Sequence, residues 1–349
     1  PLDKFNFLAQ FSINKKKDLD IALLIELKRY YLTYYANLFW VTRHVSKQYN
    51  YTNSSGYEFG NMPISNDLTF MIFSSDIGTK FRTGPVKYNL QCSFTTYRQN
   101  VLYNMNQDYI YNNENLSNNV SGDFAFDYYR SKQISLGIEF NKFKSTYLWK
   151  MVPSNGYGLN TIIIYEDNDF LSGFGVDEEY GTFGANLSPN NTFRIKFDAY
   201  YNVSFNSLSL SSKLKYKAIT NTDIDDFFYI FGGGSPGLKG YTYYEDSLSG
   251  TDIIIFENYL RSFLFKEKSI QLLHLQLQAA SLGLVHQLGT NIENLIDRRL
   301  LGSIGIELQA LGYSFFSYPT ALRYEYFIPY REENSLNSGK HYMSILFDF

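Results

Sequence analysis

The stretch with the most unusual chemistry in this sequence reads FGGGSPGLKGY and runs from Phe231 to Tyr241. Glycine weakens a regular strand and proline removes a ladder hydrogen-bond donor, so this stretch predicts a loop. Segments that look like amphipathic strands flank it on both sides. The loop is predicted over residues 219–250, between the eleventh and twelfth strands of a closed sheet.

A glycine-rich loop of this kind can also hold phosphate. The P-loop requires the spacing G-x-x-x-x-G-K-[ST] between a strand and a helix. Gly232 and Gly237 have the glycine spacing, but Lys239 comes one residue late and is followed by Gly240. No helical pattern follows, so a phosphate-binding P-loop is not predicted.

The residues that most often carry catalysis or bind metal are few and scattered. The four histidines form no H-x-x-x-H pair and the single cysteine is Cys92, so no zinc site is predicted. Gly234-Ser235-Pro236 lacks the final glycine and the helix of a nucleophile elbow. A Ser–His pair assembled from separate strands stays open. We expect no catalytic residue, no metal and no cofactor, and a chain that is not an enzyme.

Lys239 is the residue of the loop best placed to bind a partner. If the loop folds inward, its ammonium group needs a carboxylate or carbonyl partner, because a buried unpaired charge is costly. Glu307 and Glu325 lie on nearby C-terminal segments and are the candidate lumen partners. Gly240 permits a backbone conformation closed to other residues, and Tyr241 is expected to stack against the wall. The alternative is an ordinary external loop with Lys239 in solvent.

Basic residues are predicted to share one face of two neighbouring strands. An ordinary hydrated interior, balanced by carboxylates such as Asp198, explains this pattern. The alternative is an electrostatic surface that guides an anionic substrate or holds the inward loop. The residues are Arg194, Lys196, Lys213, Lys215 and Lys217.

Apolar and polar residues alternate with a period of two along almost the whole chain, which indicates strands. The clearest example places Phe193, Ile195 and Phe197 on one face and polar residues on the other. Sixteen segments are predicted, and residues 99–120 are predicted to be a long Asn-rich loop. The segments are 4–14, 20–31, 35–48, 66–82, 86–98, 121–131, 133–149, 159–168, 178–188, 193–202, 207–218, 251–263, 270–284, 301–312, 320–330 and 340–349.

These segments predict an all-β fold, a 16-stranded antiparallel transmembrane β-barrel that takes up residues 1–349 as one domain. Many segments exceed the ~5–6 residues typical of soluble strands and suit a tilted membrane crossing of ~9–11. The 32 Tyr and 30 Phe residues fit aromatic girdles. A soluble sandwich or propeller also alternates, but no repeat of 40–50 residues is found. A net charge of −3 gives no footprint for nucleic acid.

The order of these features resembles the Omp85 superfamily of outer-membrane barrels. Leu238-Lys239-Gly240-Tyr241 is similar to the [V/I/L]-R-G-[F/Y] tip of a loop that folds into the lumen in that family. Asn258–Arg261 and Ala321–Pro329 also resemble family strands, and the ending with Phe347 and Phe349 resembles the barrel-assembly signal. The resemblance implies a lumen-loop motif made of Gly232, Gly233, Gly234, Leu238, Lys239, Gly240 and Tyr241.

The sequence departs from the family pattern at three places, one of them Tyr259 where the family has a glutamate, and these departures mark a divergent member. Lys239 stands where the family has arginine, which keeps the charge but loses the bidentate fork. The family carries an acid in the strand after the next turn, and His286 stands there in this sequence. His286 is therefore a third candidate lumen partner.

The resemblance implies a non-enzymatic role in inserting or translocating polypeptides at the outer membrane of a Gram-negative bacterium. The first strand (4–14) and the last (340–349) would close weakly and open laterally to template incoming strands. The implied partners are outer-membrane lipid, a polypeptide substrate and periplasmic or outer-membrane proteins, and not nucleic acid. Two alternatives stay open: a membrane anchor or pore for a periplasmic domain or partner complex, and a passive diffusion porin.

Overall fold

Antiparallel β-strands make up most of the described chain. The computed structural model describes fourteen stretches of the chain. They are residues 4–13, 18–29, 31–51, 62–111, 114–143, 154–176, 183–205, 207–220, 228–266, 268–272, 275–292, 300–314, 318–330 and 339–347.

Seventeen strands are numbered here in chain order. The first nine are β1 (Lys4–Ile13), β2 (Leu19–Arg29), β3 (Leu32–Tyr51), β4 (Met62–Thr83), β5 (Val86–Tyr111), β6 (Glu114–Phe143), β7 (Gly156–Val176), β8 (Phe183–Phe205) and β9 (Leu208–Ile219). The others are β10 (Ile230–Phe231), β11 (Ser249–Gly250), β12 (Asp252–Phe265), β13 (Ile270–Leu272), β14 (Leu275–Thr290), β15 (Leu301–Ser314), β16 (Tyr318–Pro329) and β17 (Lys340–Phe347).

The strands pair in the order in which the chain reaches them. One 15-stranded sheet runs from β1 to β9 and continues through β12, β14, β15, β16 and β17, with β13 paired to β14 alone. β10 and β11 form a separate two-stranded ribbon within the glycine-rich loop. The predicted all-β antiparallel fold class is confirmed, and the glycine-rich loop lies between β9 and β12.

Four local predictions are corrected. Segment 270–284, predicted as one strand, contains β13 and the first part of β14, and these two strands pair with each other. Segments 121–131 and 133–149 were predicted as two strands, but β6 runs without a break through Ser131 and Lys132 to Phe143. The described part of segment 178–188, residues 183–188, and segment 193–202 likewise belong to one strand, β8, which includes Pro189. Residues 99–120, predicted as a loop, lie within β5 and β6 except for the undescribed residues 112–113. Cross-strand pairing overrides the low strand propensity of Asn and Pro at these positions.

The chain divides into two compact units. Unit 1 contains residues 1–81, 89–135 and 165–192, and unit 2 contains residues 82–88, 136–164 and 193–349. Within unit 1, the hydroxyl of Tyr35 lies 2.9 Å from the side-chain oxygens of Asn89 and Gln91. No helix in the described stretches has the length and apolarity needed to cross a membrane.

Unit 2 reverses the usual distribution of apolar and polar residues across its sheet. On β15, Ile304, Ile306 and Leu308 are 56%, 46% and 44% exposed. Ser303, Glu307 and Gln309 alternate with them and are almost fully buried. One face of the sheet, here called the apolar face, therefore exposes large aliphatic side chains, and the opposite polar face buries hydrogen-bonding groups.

The exposed apolar side chains lie in register across neighbouring strands. Leu210 on β9 is opposite Leu260 on β12, and Leu260 is opposite Leu284 on β14. Leu284 is in turn opposite Ile306 on β15. These pairs make a continuous apolar row rather than isolated exposed residues.

The polar face is tightly packed around Gly305, and substitution of this glycine tests that packing. A Cβ added at Gly305 would lie 2.6 Å from Cδ1 of the buried Phe327 and 2.7 Å from the carbonyl oxygen of Tyr326. We expect Gly305→Ala to lower the free energy of unfolding by about 1–3 kcal/mol, as overpacking does, in a urea titration. Gly184→Ala is the matched control, since nothing lies within 4 Å of its added Cβ. Equal unfolding free energies for the two variants would contradict this packing.

Candidate functional site

The glycine-rich loop lies on the polar face of unit 2 and is fastened there by an apolar cluster. Leu238, Tyr241 and Leu248 of the loop are buried against Ile253 and Ile255 at the start of β12. The β10–β11 ribbon pairs Ile230 with Gly250 and closes the base of the loop. These apolar and backbone contacts hold the loop on the sheet in addition to the charged contacts of its tip.

A tight turn sets the direction of the loop tip. Gly240 has φ +94°, a backbone conformation that residues with a Cβ rarely adopt. A Cβ there would also lie 3.3 Å from the ring of Pro329 on β16. The N–H of Gly240 donates to the hydroxyl of Tyr342 on β17 at 3.0 Å. Glycine is therefore required at 240 for both the fold of the tip and its approach to the sheet.

Lys239 is buried and paired at the centre of the site. Its Nζ lies 2.5 Å from Oε1 of Glu325 on β16 and 5.2 Å from the centre of the Phe327 ring. Its backbone N–H donates to Oε1 of Gln287 on β14 at 2.9 Å. Lys239 is 8% exposed and Glu325 5% exposed, so the ion pair is shielded from solvent. Such a pair restrains the loop because separating it would leave a buried charge.

Glu257 on β12 links the loop to the neighbouring strands. Its Oε1 accepts from Nε2 of Gln287 at 2.9 Å and from Nζ of Lys215 at 2.8 Å. Its Oε2 accepts from the hydroxyl of Tyr259 at 3.2 Å. Gln287 therefore bonds the loop backbone on one side and a buried carboxylate on the other.

A second ion pair lies on the same face. Nε of Arg261 on β12 donates to Oε1 of Glu307 on β15 at 2.7 Å, and Nη2 donates to Oε2 at 3.3 Å. Gly283 lies between them in register, and its missing side chain leaves room for Arg261 to reach across β14. Nε of Arg323 is 3.8 Å from Oε2 of Glu307.

The structure separates the three predicted lumen partners. Glu325 pairs with Lys239, whereas Glu307 pairs with Arg261. The prediction that His286 faces the loop is wrong. In β14 it alternates with the buried Val285 and Gln287, and its Nε2 lies 2.8 Å from the hydroxyl of Tyr330.

The other predicted residues divide between the loop and the C-terminus. Gly232, Gly233, Gly234, Leu238, Gly240 and Tyr241 are all buried in the loop, and the hydroxyl of Tyr241 donates to the carbonyl of Gly302 at 2.8 Å. The backbone of Phe347 ends β17, and its side chain lies outside the described part of the structure. Phe349 lies outside the described residues.

Sequence reasoning missed Gln287, Glu257 and Tyr342. The alternation of side chains along β14 could have indicated Gln287, because Gln287 shares its face with Gly283, Val285 and Gly289. Glu257 and Gln287 are direct register partners, which the sequence does not reveal. Tyr342 lies in the last predicted segment, 340–349, on the face opposite to Phe347 and Phe349, and only those two residues were assigned a role.

Hydrogen bonds and ion pairs, rather than reactive groups, dominate this arrangement. Within the described stretches no group of three His, Cys, Asp or Glu residues lies close enough to hold a metal ion. The ring nitrogens of His44 and His341 contact Asp18 and Tyr324. The site is built to hold a loop against a sheet.

Comparison with known proteins finds structural similarity alone. No family model and no curated protein matches the sequence. The chain is similar to the crystal structure of BamA from Haemophilus ducreyi lacking POTRA domains 1–3, with a TM-score of 0.49 and 11% sequence identity. The similarity covers 99% of this chain and 70% of that one.

Removing Lys239 tests whether its ion pair holds the loop. Lys239→Met leaves Glu325 buried without its cation, so we expect a loss of about 3–5 kcal/mol of unfolding free energy. Backbone hydrogen exchange within 228–251 should rise at the same time. Glu325→Gln in the same chain should restore most of the loss, because it removes the stranded charge.

Lys80→Met is the matched control for that experiment. Nζ of Lys80 lies 3.3 Å from Glu26 in an exposed pair, whose loss should cost less than about 1 kcal/mol. The interpretation fails if both lysine variants lose the same stability, or if Glu325→Gln restores nothing.

Proposed function

We propose that this chain is an outer-membrane β-barrel of the Omp85 type that takes part in inserting or translocating polypeptides at the bacterial outer membrane. The observation that carries the proposal is the loop tip, where Lys239 pairs with Glu325 while Gly240 bonds Tyr342 of the last strand. The role is non-enzymatic and needs no cofactor. Its partners are outer-membrane lipid, a polypeptide substrate and neighbouring proteins of the periplasm or outer membrane.

The exposed apolar face supports a location in the membrane. In water, a continuous row of exposed leucine and isoleucine side chains is unfavourable, whereas in lipid it is the expected surface of a spanning sheet. The strands of this face suit a crossing of ~9–11 tilted residues. β9 and β16 have 12 residues each, and β12 and β15 have 14 each. A closed sheet would leave no unpaired edge in lipid.

The contacts of the loop tip support a coupling between the loop and the end of the sheet. Tyr241 bonds β15, Lys239 bonds β14 and β16, and Gly240 bonds β17. One short turn therefore restrains four consecutive strands. β17 is the last strand in the pairing order, and its free edge would add an incoming polypeptide strand by backbone hydrogen bonds.

A second candidate function is an anchor or pore for a periplasmic domain or partner complex. It is favoured by His286, which stands where the resemblance implies an acid and contacts Tyr330 rather than the loop. Within the described residues, the ion pair of the loop tip is therefore formed by Lys239 and Glu325, without a further acid on β14.

A charge on the apolar face tests the membrane location. We expect Leu284→Arg to lower the unfolding free energy in phospholipid vesicles by about 2–4 kcal/mol, because arginine near the bilayer midplane is costly. Leu284 is 56% exposed, so in water the same change should matter little. The control Tyr31→Arg replaces an 86% exposed turn residue and should change stability by less than about 0.5 kcal/mol. A small effect in both variants would argue against a lipid-facing surface.

A reconstitution assay tests the proposed activity. Proteoliposomes that contain the chain should speed the folding of an urea-unfolded eight-stranded outer-membrane barrel, compared with protein-free liposomes. Lys239→Ala should reduce this acceleration roughly tenfold, since release of the tip uncouples β17 from the loop. Lys80→Ala should leave it unchanged.

Single-channel conductance separates the alternatives. A small, flickering conductance that grows in Lys239→Ala accompanies a loop that plugs the lumen. A large, steady conductance that Lys239→Ala leaves unchanged, with no acceleration of folding, would favour the diffusion porin. No acceleration together with a plugged channel would favour the anchor.

A further inference from the structure

A polar cavity of about 420 Å³ lies in unit 2 beside the loop tip. It is bounded by the loop and by residues of β6, β8, β9, β12 and β16. Five cationic side chains and one carboxylate, Glu257, contribute to its wall. The cations are Lys213, Lys215, Lys239, Arg261 and Arg323.

The positive charges of this cavity are unequally compensated. Lys215, Lys239 and Arg261 each have a carboxylate within 2.8 Å. Lys213 has only a loose contact of 3.8 Å with Asp198, and both side chains are 35% exposed. Nε of Arg323 is 3.8 Å from Glu307, whose carboxylate already accepts two bonds from Arg261. Lys213 and Arg323 are therefore the cations of this cavity whose charge is least compensated by a carboxylate.

Neighbouring lysines increase the positive potential. Lys196 on β8 and Lys217 on β9 are direct register partners, although like charges opposite each other destabilise a sheet. Lys217 lies beside Lys215 under the glycines of the loop. Such a concentration of cations on one face attracts anions.

Two buried polar atoms indicate independently that this cavity can bind a ligand. Nε of Arg323 and the hydroxyl of Ser211 are buried and have no hydrogen-bond partner within the described part of the chain. Ser211 is 7% exposed, and both residues line the cavity. A buried polar group without a partner is unfavourable, and a bound acceptor would satisfy both donors.

We propose that this cavity binds a small oxyanion, a phosphate or carboxylate group, through Arg323, Lys213 and Ser211. The planar guanidinium of Arg323 suits two oxygens of one anion, and Lys213 adds a point charge. The volume is at the lower end of the range for small-ligand sites, ~300–1,000 Å³. The inference does not depend on the proposed function, since an anchor or a porin would keep the site.

Titration calorimetry with inorganic phosphate tests the site on the full chain in a neutral detergent. Saturable binding is expected, and Arg323→Gln should weaken it by about tenfold or more through loss of charge-assisted bonds. Lys213→Gln should also weaken it, and Arg323→Lys should bind with intermediate affinity because the charge remains. The control Lys87→Gln removes a cation that pairs with Glu139 outside the cavity and should bind as the wild type does.

Two results would overturn the proposal: no saturable binding of phosphate to the wild type, or equal weakening in Lys87→Gln and Arg323→Gln. Thermal unfolding of each variant guards against misfolding, and Arg323→Lys provides the comparison if Arg323→Gln does not fold. Repeating the titration in nanodiscs with and without phosphatidylglycerol distinguishes the source of the anion. Equal affinities support a soluble oxyanion, and weaker phosphate binding with phosphatidylglycerol supports a lipid headgroup in the same site.

Discussion

The buried ion pair between Lys239 and Glu325 is the constraint on which the rest of the site depends. A lysine residue that is only 8% exposed requires a carboxylate within reach of its ammonium group. That requirement fixes the loop tip over β16 and brings Gly240 within bonding distance of Tyr342. The apolar cluster around Leu238 and Tyr241 then covers the base of the loop. Charge pairing therefore sets the position, and apolar burial adds to the stability of that position.

The polar face can hold this pair because its other groups are connected to it. Gln287 accepts a hydrogen bond from the backbone of the loop and donates one to Glu257. Glu257 also accepts from Lys215. Arg261 reaches across Gly283 to satisfy Glu307. Each carboxylate has a cationic or amide donor, so burial of these charges does not leave them uncompensated. Beside the tip, the cations that line the cavity outnumber the carboxylates that line it.

The opposite face follows a different rule. Its leucine and isoleucine residues are in register across β9, β12, β14 and β15, and they remain exposed. In a water-soluble sheet packed on an apolar core, the leucine and isoleucine face would be buried and the polar face exposed. The same alternation along each strand thus produces a polar network on one side and an apolar surface on the other, and both the proposed membrane location and the loop contacts rest on it.

The sequence by itself determined which residues share a face and where the long loop lies. Alternation with a period of two is local, and the glycines and proline of 231–241 forbid a strand, so both features could be predicted without any partner strand. The need of Lys239 for a carboxylate followed from the cost of burying charge. Only the tertiary structure decided that Glu325 is the partner and Glu307 is not.

Those choices depend on register, which is set by hydrogen bonds between strands that are distant in the chain. Glu307 and Glu325 are direct register partners on β15 and β16, so the alternation of residues along the sequence places both on the same face. The position of Arg261, which pairs with Glu307, distinguishes them. His286 differs from Gln287 by one residue, and in a strand one residue places a side chain on the other face. Residues 99–111 and 114–120 form strands because neighbouring strands supply their hydrogen bonds, which local propensity does not record.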